Sequence, residues 1–283
     1  MTLTGSGPAY DPPADATPRR AGAPAPARTR VYGPERRLDR RVALVTGASS
    51  GIGAATARRF AMDGWQLLLN GRDRYRLERT AAGTSAVVLP ADLAAPDGPR
   101  LLARSALHTT GRIDVLVAGA GIGWTGPFDT MPHTDIDRVL TLDLNATLHL
   151  VREVLPTMIA AGRGRVVLLG AREGRTGVPR EAVHSAARAG LAAFAEALRR
   201  ELRGTGVGVT LVDPGPADPE SRTRRGGPRD GSGTGLLTPG HVAGTIFEAV
   251  AHHHDEAYAG PAVQDRARGI GPGLYRRLRD RFT

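Results

Sequence analysis

Short apolar runs alternate along this chain with longer stretches whose apolar positions recur at helical spacing. The runs fall at 41–46, 65–70, 85–89, 113–117, 165–169, 207–212 and 256–259, and most are rich in Val and Leu. Helical spacing predicts helices over 54–62, 73–82, 99–110, 136–161, 181–203 and 242–251. Leu101, Leu102, Ser105 and Ala106 share one side of the third helix. Val139, Leu140, Leu142, Leu144, Leu148, Val151 and Leu155 mark the fourth, with an interruption at Pro156. Ala187, Gly190, Leu191, Phe194 and Leu198 mark the fifth. Near-continuous apolar strands between helices predict a parallel sheet buried on both faces, with right-handed crossovers. The fold class is therefore α/β, a doubly wound Rossmann-type sheet in a single domain. Residues 1–38, rich in Ala, Pro, Gly and Arg without periodicity, read as a disordered arm. The domain spans 39–261, and 262–283 form a basic tail.

The junction of the first strand and helix carries the strongest chemical signal. It reads Ala43-Leu-Val-Thr-Gly-Ala-Ser-Ser-Gly-Ile-Gly53, with helical pattern beginning at Ala54. A buried strand that turns at once into a helix aims the helix's first N–H groups and positive dipole end at an anion. Glycines at 47, 51 and 53 allow a pyrophosphate to approach the backbone and the helix to pack against its strand. Dinucleotide binding follows, with Thr46, Gly47, Ser49, Ser50, Gly51, Ile52 and Gly53 as the cradle.

The string Thr46-Gly-x-x-x-Gly51-Ile-Gly53 resembles the cofactor motif of the short-chain dehydrogenases/reductases, and the resemblance extends over residues 41–261. It implies a sheet of about seven strands and nicotinamide-dependent oxidation or reduction of a small carbonyl or alcohol. Matching the family pattern onward from Gly53 places Gly71 where an NAD-preferring member has Asp, with Arg72 next. A guanidinium there can grip a ribose 2′-phosphate, so NADP(H) is expected over NAD(H), although Asp73 is acidic and adjacent. Asp92, followed by Leu93, matches the residue that accepts from the adenine amino group. Ala118-Gly119-Ala120-Gly121 stands where the family reads Asn-Asn-Ala-Gly. Asp213-Pro214-Gly215 resembles the turn beside the nicotinamide, with Pro219 in place of a Thr, and 215–237 would form a substrate lid.

In that family a Tyr and a Lys sit four apart on one helix face, and a Ser precedes the Tyr by about 13 residues. The matching segment here is His184-Ser-Ala-Ala-Arg188, with Ala171 in place of the Ser. Asn145 matches the family's helix-borne Asn. Histidine exchanges protons near neutrality, so His184 is the expected proton donor or acceptor. Arg188 is the expected cation at the ribose, and Arg172 could replace the missing Ser. The same substitutions also suit a non-redox enzyme, or a catalytically inactive NAD(P)-binding protein, on this fold.

Composition narrows the picture further. The net charge is +10 and every one of the 38 basic residues is arginine. Residues 1–41 hold eight arginines against four acids, 220–230 four against two, and 262–283 six against two, which accounts for the whole excess. The charge thus sits on the ends and one loop, and no nucleic-acid motif accompanies it, so no nucleic-acid partner is expected. Leu274, Leu278 and Phe282 would give a tail helix one apolar stripe flanked by Arg. That stripe suits docking on the core, or contact with an anionic membrane surface. Cysteine is absent, which excludes disulfides, a thiolate nucleophile and a sulfur metal site. His252-His253-His254 point in different directions on a helix and read as a solvated end, so no metal is expected. No run of about 18 apolar residues is present, so no membrane span is expected, and neither a secretory leader nor a location other than the cytoplasm is expected. A homodimer or homotetramer is expected through the helices at 136–161 and 181–203. Ala187, Gly190 and Ala193 would allow close approach there, or pack inside one subunit.

Overall fold

The computed structural model describes residues 40–170, 177–215 and 237–260. Seven strands are present: β1 (Val42–Val45), β2 (Gln66–Gly71), β3 (Val87–Pro90), β4 (Val115–Ala118), β5 (Gly164–Leu169), β6 (Val207–Asp213) and β7 (Glu256–Tyr258). They form one sheet in the order β3-β2-β1-β4-β5-β6-β7, with every neighbouring pair parallel. The helices are α1 (Gly51–Met62), α2 (Arg74–Ala81), α3 (Gly98–Thr110), α4 (His133–Leu140), α5 (Ala146–Ala160), α6 (Ala182–Glu201) and α7 (Pro239–Ala251). The chain builds outward from β1 through β3, then returns to build the other half from β4. A sheet of this kind opens a crevice where its winding reverses, outside the carboxyl ends of β1 and β4.

Helices cover both faces, so alternate residues of each strand feed two separate cores. Leu44, Leu68, Leu116, Val166 and Leu168 point to one, filled by Leu102 and Ala106 of α3, Leu150 and Val154 of α5 and Leu198 of α6. Val45, Leu67, Leu69, Val117 and Val167 point to the other, filled by Phe60, Leu77, Val242, Ile246 and Phe247. Phe60 of α1 meets Trp65 and Phe247 edge-on, at ring separations of 5.0 and 5.3 Å. Burial on both faces is why the strands read as unbroken apolar runs.

Observed strand and helix ends lie within a few residues of those predicted, but four local readings change. The helix expected over 136–161 is two α-helices joined by a π-helical turn, Thr141–Asn145. It runs on through Pro156, which sits near the C-terminus of α5, where a missing N–H costs a single bond. In α3 the buried side is Leu102, Ala103 and Ala106, while Leu101 is 54% exposed and Ser105 also faces solvent. Of the small residues on α6, Ala187 is buried, and a Cβ at Gly190 would lie 3.2 Å from the Leu144 side chain. Ala187 therefore packs inside the chain, whereas Gly190 keeps part of its surface and Ala193 is exposed.

At the amino ends of the strands, remote from the crevice, the buried Arg165 donates to Thr210 Oγ1 (2.7 Å) and to the His254 carbonyl (2.9 Å). Burial pushes its pKa below the usual arginine value, opposed by the charge of Asp255. His252, His253 and His254 are exposed and follow the end of α7. Among the described residues, no group of three His, Asp or Glu is arranged to hold a metal, and no helix is long and apolar enough to cross a membrane.

The corrected face of α3 gives a direct test by urea unfolding. Leu102→Ala should cost about 2–5 kcal/mol through the cavity it opens. Leu101→Ala should change stability by less than about 0.5 kcal/mol.

Candidate active site

The turn after β1 is fastened to the turn after β4 by one hydroxyl. Thr46 is buried, and its Oγ1 accepts the N–H of Gly119 (3.0 Å) and of Ala120 (3.1 Å). Its backbone N–H donates to the Val117 carbonyl at 3.0 Å. Gly47 has φ of +67°, and a Cβ there would lie 2.7 Å from the Gly119 oxygen. A Cβ on Gly53 would collide with the Gly47 carbonyl, so α1 can start against this turn only because Gly53 has no side chain. Ser50 is the extended N-cap of α1, whose first turn contains no acid. Ser49, Ser50, Gly51 and Ile52 are partly exposed at the helix mouth. The hollow left by the glycines and the positive helix end fit the pyrophosphate of a dinucleotide.

The remaining cofactor candidates border the same crevice. β2 ends at Gly71, where a Cβ would lie 3.3 Å from both Cβ and Oγ of Ser49. Arg72 follows, exposed. Asp73 is turned to its own helix: it caps α2 by accepting from the Arg76 N–H at 3.0 Å, and pairs with the Arg76 guanidinium at 3.3 Å. After β3, Asp92 is exposed and accepts from the Ala94 N–H at 3.0 Å, while Leu93 is buried. Ala118 closes β4, and Gly119 and Ala120 form the turn on Thr46. Pro214 and Gly215 follow β6, where the Gly215 N–H returns to Asp213 Oδ1 at 2.9 Å.

The catalytic candidates converge on a residue that sequence spacing did not single out. His184 and Arg188 lie one turn apart on α6, and both reach Asp143 in the π-helical turn. His184 Nδ1 is 2.9 Å from Asp143 Oδ2, and Arg188 Nη2 is 3.3 Å from the same oxygen. The Ile122 N–H donates to Oδ1 at 2.5 Å, and Arg188 Nη1 donates to the Leu169 carbonyl at the end of β5, at 2.6 Å. The histidine and aspartate side chains are 1% and 0% exposed. Gly121 admits the cluster, since a Cβ there would lie 3.0 Å from both Arg188 Nη2 and Asp143 Oδ1.

Asn145 is not part of this cluster. It is exposed, at the end of the π turn, and the inward position belongs to Asp143 two residues earlier. A signal for Asp143 was present: it lies on the apolar stripe of Val139, Leu142, Ala146 and Leu150, where an acid is out of place unless paired. Ser185 was also passed over. It is buried, and its Oγ accepts the Val178 N–H at 3.0 Å, which ties down the entry to α6. Ala171, Arg172, Pro219 and nearly all of the expected lid, like both terminal segments, lie outside the described residues.

A seven-stranded parallel sheet of this order, with a glycine-lined turn at its reversal, defines a doubly wound, Rossmann-type α/β fold. Residues 41–227 match the family model for short chain dehydrogenases. The ketoacyl reductase HetN of Nostoc sp. is 33% identical over 227 residues, covering 77% of this chain and 78% of its own. A metagenomic short-chain oxidoreductase solved in complex with NADP is 33% identical, with a TM-score of 0.65 over 76% of this chain and 92% of that one. A short-chain dehydrogenase/reductase from Burkholderia phymatum solved in complex with NAD is 26% identical, with a TM-score of 0.72 over 80% and 91%. The chain belongs to the short-chain dehydrogenase/reductase family.

Removing the Thr46 hydroxyl isolates its clasp. Thr46→Val keeps the shape but leaves the Gly119 and Ala120 N–H groups without their acceptor. Unfolding in urea should show a loss of about 1–3 kcal/mol.

Proposed function

We propose that this protein is an NADP(H)-dependent oxidoreductase acting on a small carbonyl or alcohol, with His184 exchanging the proton at the substrate oxygen. The observation that carries this reading is the juxtaposition of His184, Arg188 and Asp143 against the loop that follows β4, at the crevice whose glycine turn fits a dinucleotide. When bound, the nicotinamide supplies or accepts the hydride. The chain's own residues divide the remaining work. The turn from Thr46 to Gly53 holds the pyrophosphate, and Asp92, Ala118 to Ala120, Pro214 and Gly215 line the rest of the cofactor's path. Arg188, held by Asp143 and Leu169, keeps a fixed positive charge beside the imidazole. The family and its named relatives are redox enzymes, which favours this reading over non-redox or inactive ones.

NADP(H) is preferred on the character of the β2 terminus. No carboxylate stands at Gly71, Asp73 is engaged with α2, and Arg72 and Ser49 flank the position a 2′-phosphate would take. Solved relatives hold either NADP or NAD, so the preference rests on this turn. Assembly as a homodimer or homotetramer through the helical segments at 136–161 and 181–203, and a cytoplasmic location, belong to the same reading.

Turnover is followed as loss of reduced-nicotinamide absorbance with a panel of carbonyl substrates. His184→Ala should lower it by at least about 10²-fold while NADPH affinity stays nearly unchanged. Full turnover in that variant would overturn the assignment.

A separate measurement addresses the cofactor. Arg72→Asp should weaken NADPH binding about tenfold or more, and NADH binding far less. Equal loss of both would show that this turn does not read the 2′-phosphate.

A further inference from the structure

We infer that Asp143 is the positioning residue of this site, fixing His184 in the tautomer that carries its proton on Nδ1 and directing Nε2 to the substrate. The inference rests on the proposed role of His184. Asp143 faces three donors from two parts of the chain: the Ile122 N–H of the loop after β4 on Oδ1, and His184 Nδ1 and Arg188 Nη2 of α6 on Oδ2. Each oxygen therefore has a donor in front of it, and a carboxylate, which only accepts, satisfies all of them. An amide could not. With its oxygen toward the Ile122 N–H, its NH₂ would face both the imidazole and the guanidinium.

Because Asp143 has no proton to give, the short contact to His184 requires Nδ1 to be the donor. The proton that moves is then the one on Nε2. In the reductive direction the substrate's carbonyl carbon receives the cofactor's hydride while its oxygen takes the Nε2 proton. The N–H bond breaks as the O–H bond forms, the carbonyl is reduced, and the dinucleotide is oxidised. His184 is left neutral, still bonded to Asp143 through Nδ1–H. In the oxidative direction Nε2 accepts the hydroxyl proton. Asp143 touches neither substrate nor hydride. It acts by holding the ring, and burial of both side chains keeps water from competing for the bond.

The test reads the ring nitrogens of His184 by ¹⁵N–¹H correlation NMR in the uniformly labelled full chain. The measurement is made where the imidazole is neutral, with His184→Gln used for assignment. The expected spectrum has a protonated Nδ1 and a bare Nε2, and a parent protein with the proton on Nε2 overturns the inference whatever any variant does. Asp143→Asn should invert the pattern, because its NH₂ would donate to Nδ1. It should also lower kcat by about 10²–10⁴-fold, the loss expected when a catalytic histidine is held in the wrong tautomer. An inverted ring with unchanged kcat would overturn the positioning role, as would an unchanged ring. Should Asp143→Asn fail to fold, the parent spectrum alone decides. A parent that shows the expected tautomer but turns over no carbonyl with NADPH would sink the redox reading and leave the ring assignment standing.

Discussion

Asp143 has no exposed surface, and its two oxygens gather donors from the loop after β4 and from α6, while Arg188 in turn donates to the carbonyl at the end of β5. Taking a carboxylate and a guanidinium out of water is costly, and the mutual contacts of Asp143, His184 and Arg188 offset that cost, although Arg188 Nε is buried without a partner. Removing one partner from such a buried set typically costs about 3–5 kcal/mol. The geometry of the site and the packing of three elements are therefore one problem. The π-helical turn belongs to it as well. A widened turn between α4 and α5 lets an acid on an otherwise apolar stripe reach across to α6.

The cofactor side of the crevice obeys a different constraint, steric rather than electrostatic. Gly53 lies against the Gly47 carbonyl and Gly47 against the Gly119 oxygen, so neither position has room for a side chain, and Thr46 binds this turn to the one after β4. The strands supply a rigid floor because alternate residues are sunk in two separate cores. Arg188 joins the two halves: its guanidinium lies against Gly121, three residues past the β4 terminus, while its other nitrogen holds the β5 terminus.

These two constraints explain what the sequence disclosed. The strands and the glycine turn were legible because their causes are local: an unbroken apolar run has few other uses, and glycine spacing follows from clashes a few residues apart. Asp143 was not, because its partners lie far along the chain, and the family resemblance pointed to Asn145, two residues further on. The π turn was hidden too, since helix propensity does not separate one helix from two joined by a widened turn. Pro156 misled in the opposite direction, as a breaker tolerated close to a helix end. In α3 the predicted stripe slipped because Ala103, small and unassertive, takes the buried place given to Leu101.

The absence of lysine has a consequence for Arg188. A lysine in that place could release a proton and pass it onward, whereas a guanidinium keeps its protons at any pH the protein meets. On the proposed chemistry the cluster therefore owns a single mobile proton, lodged on an imidazole almost sealed from water. Each reduction leaves that ring one proton short, and each oxidation leaves it one proton rich. Recharging has to wait for a route to solvent, which separates it in time from hydride transfer. Between substrates the charge on His184 would be a memory of the direction in which the enzyme last ran.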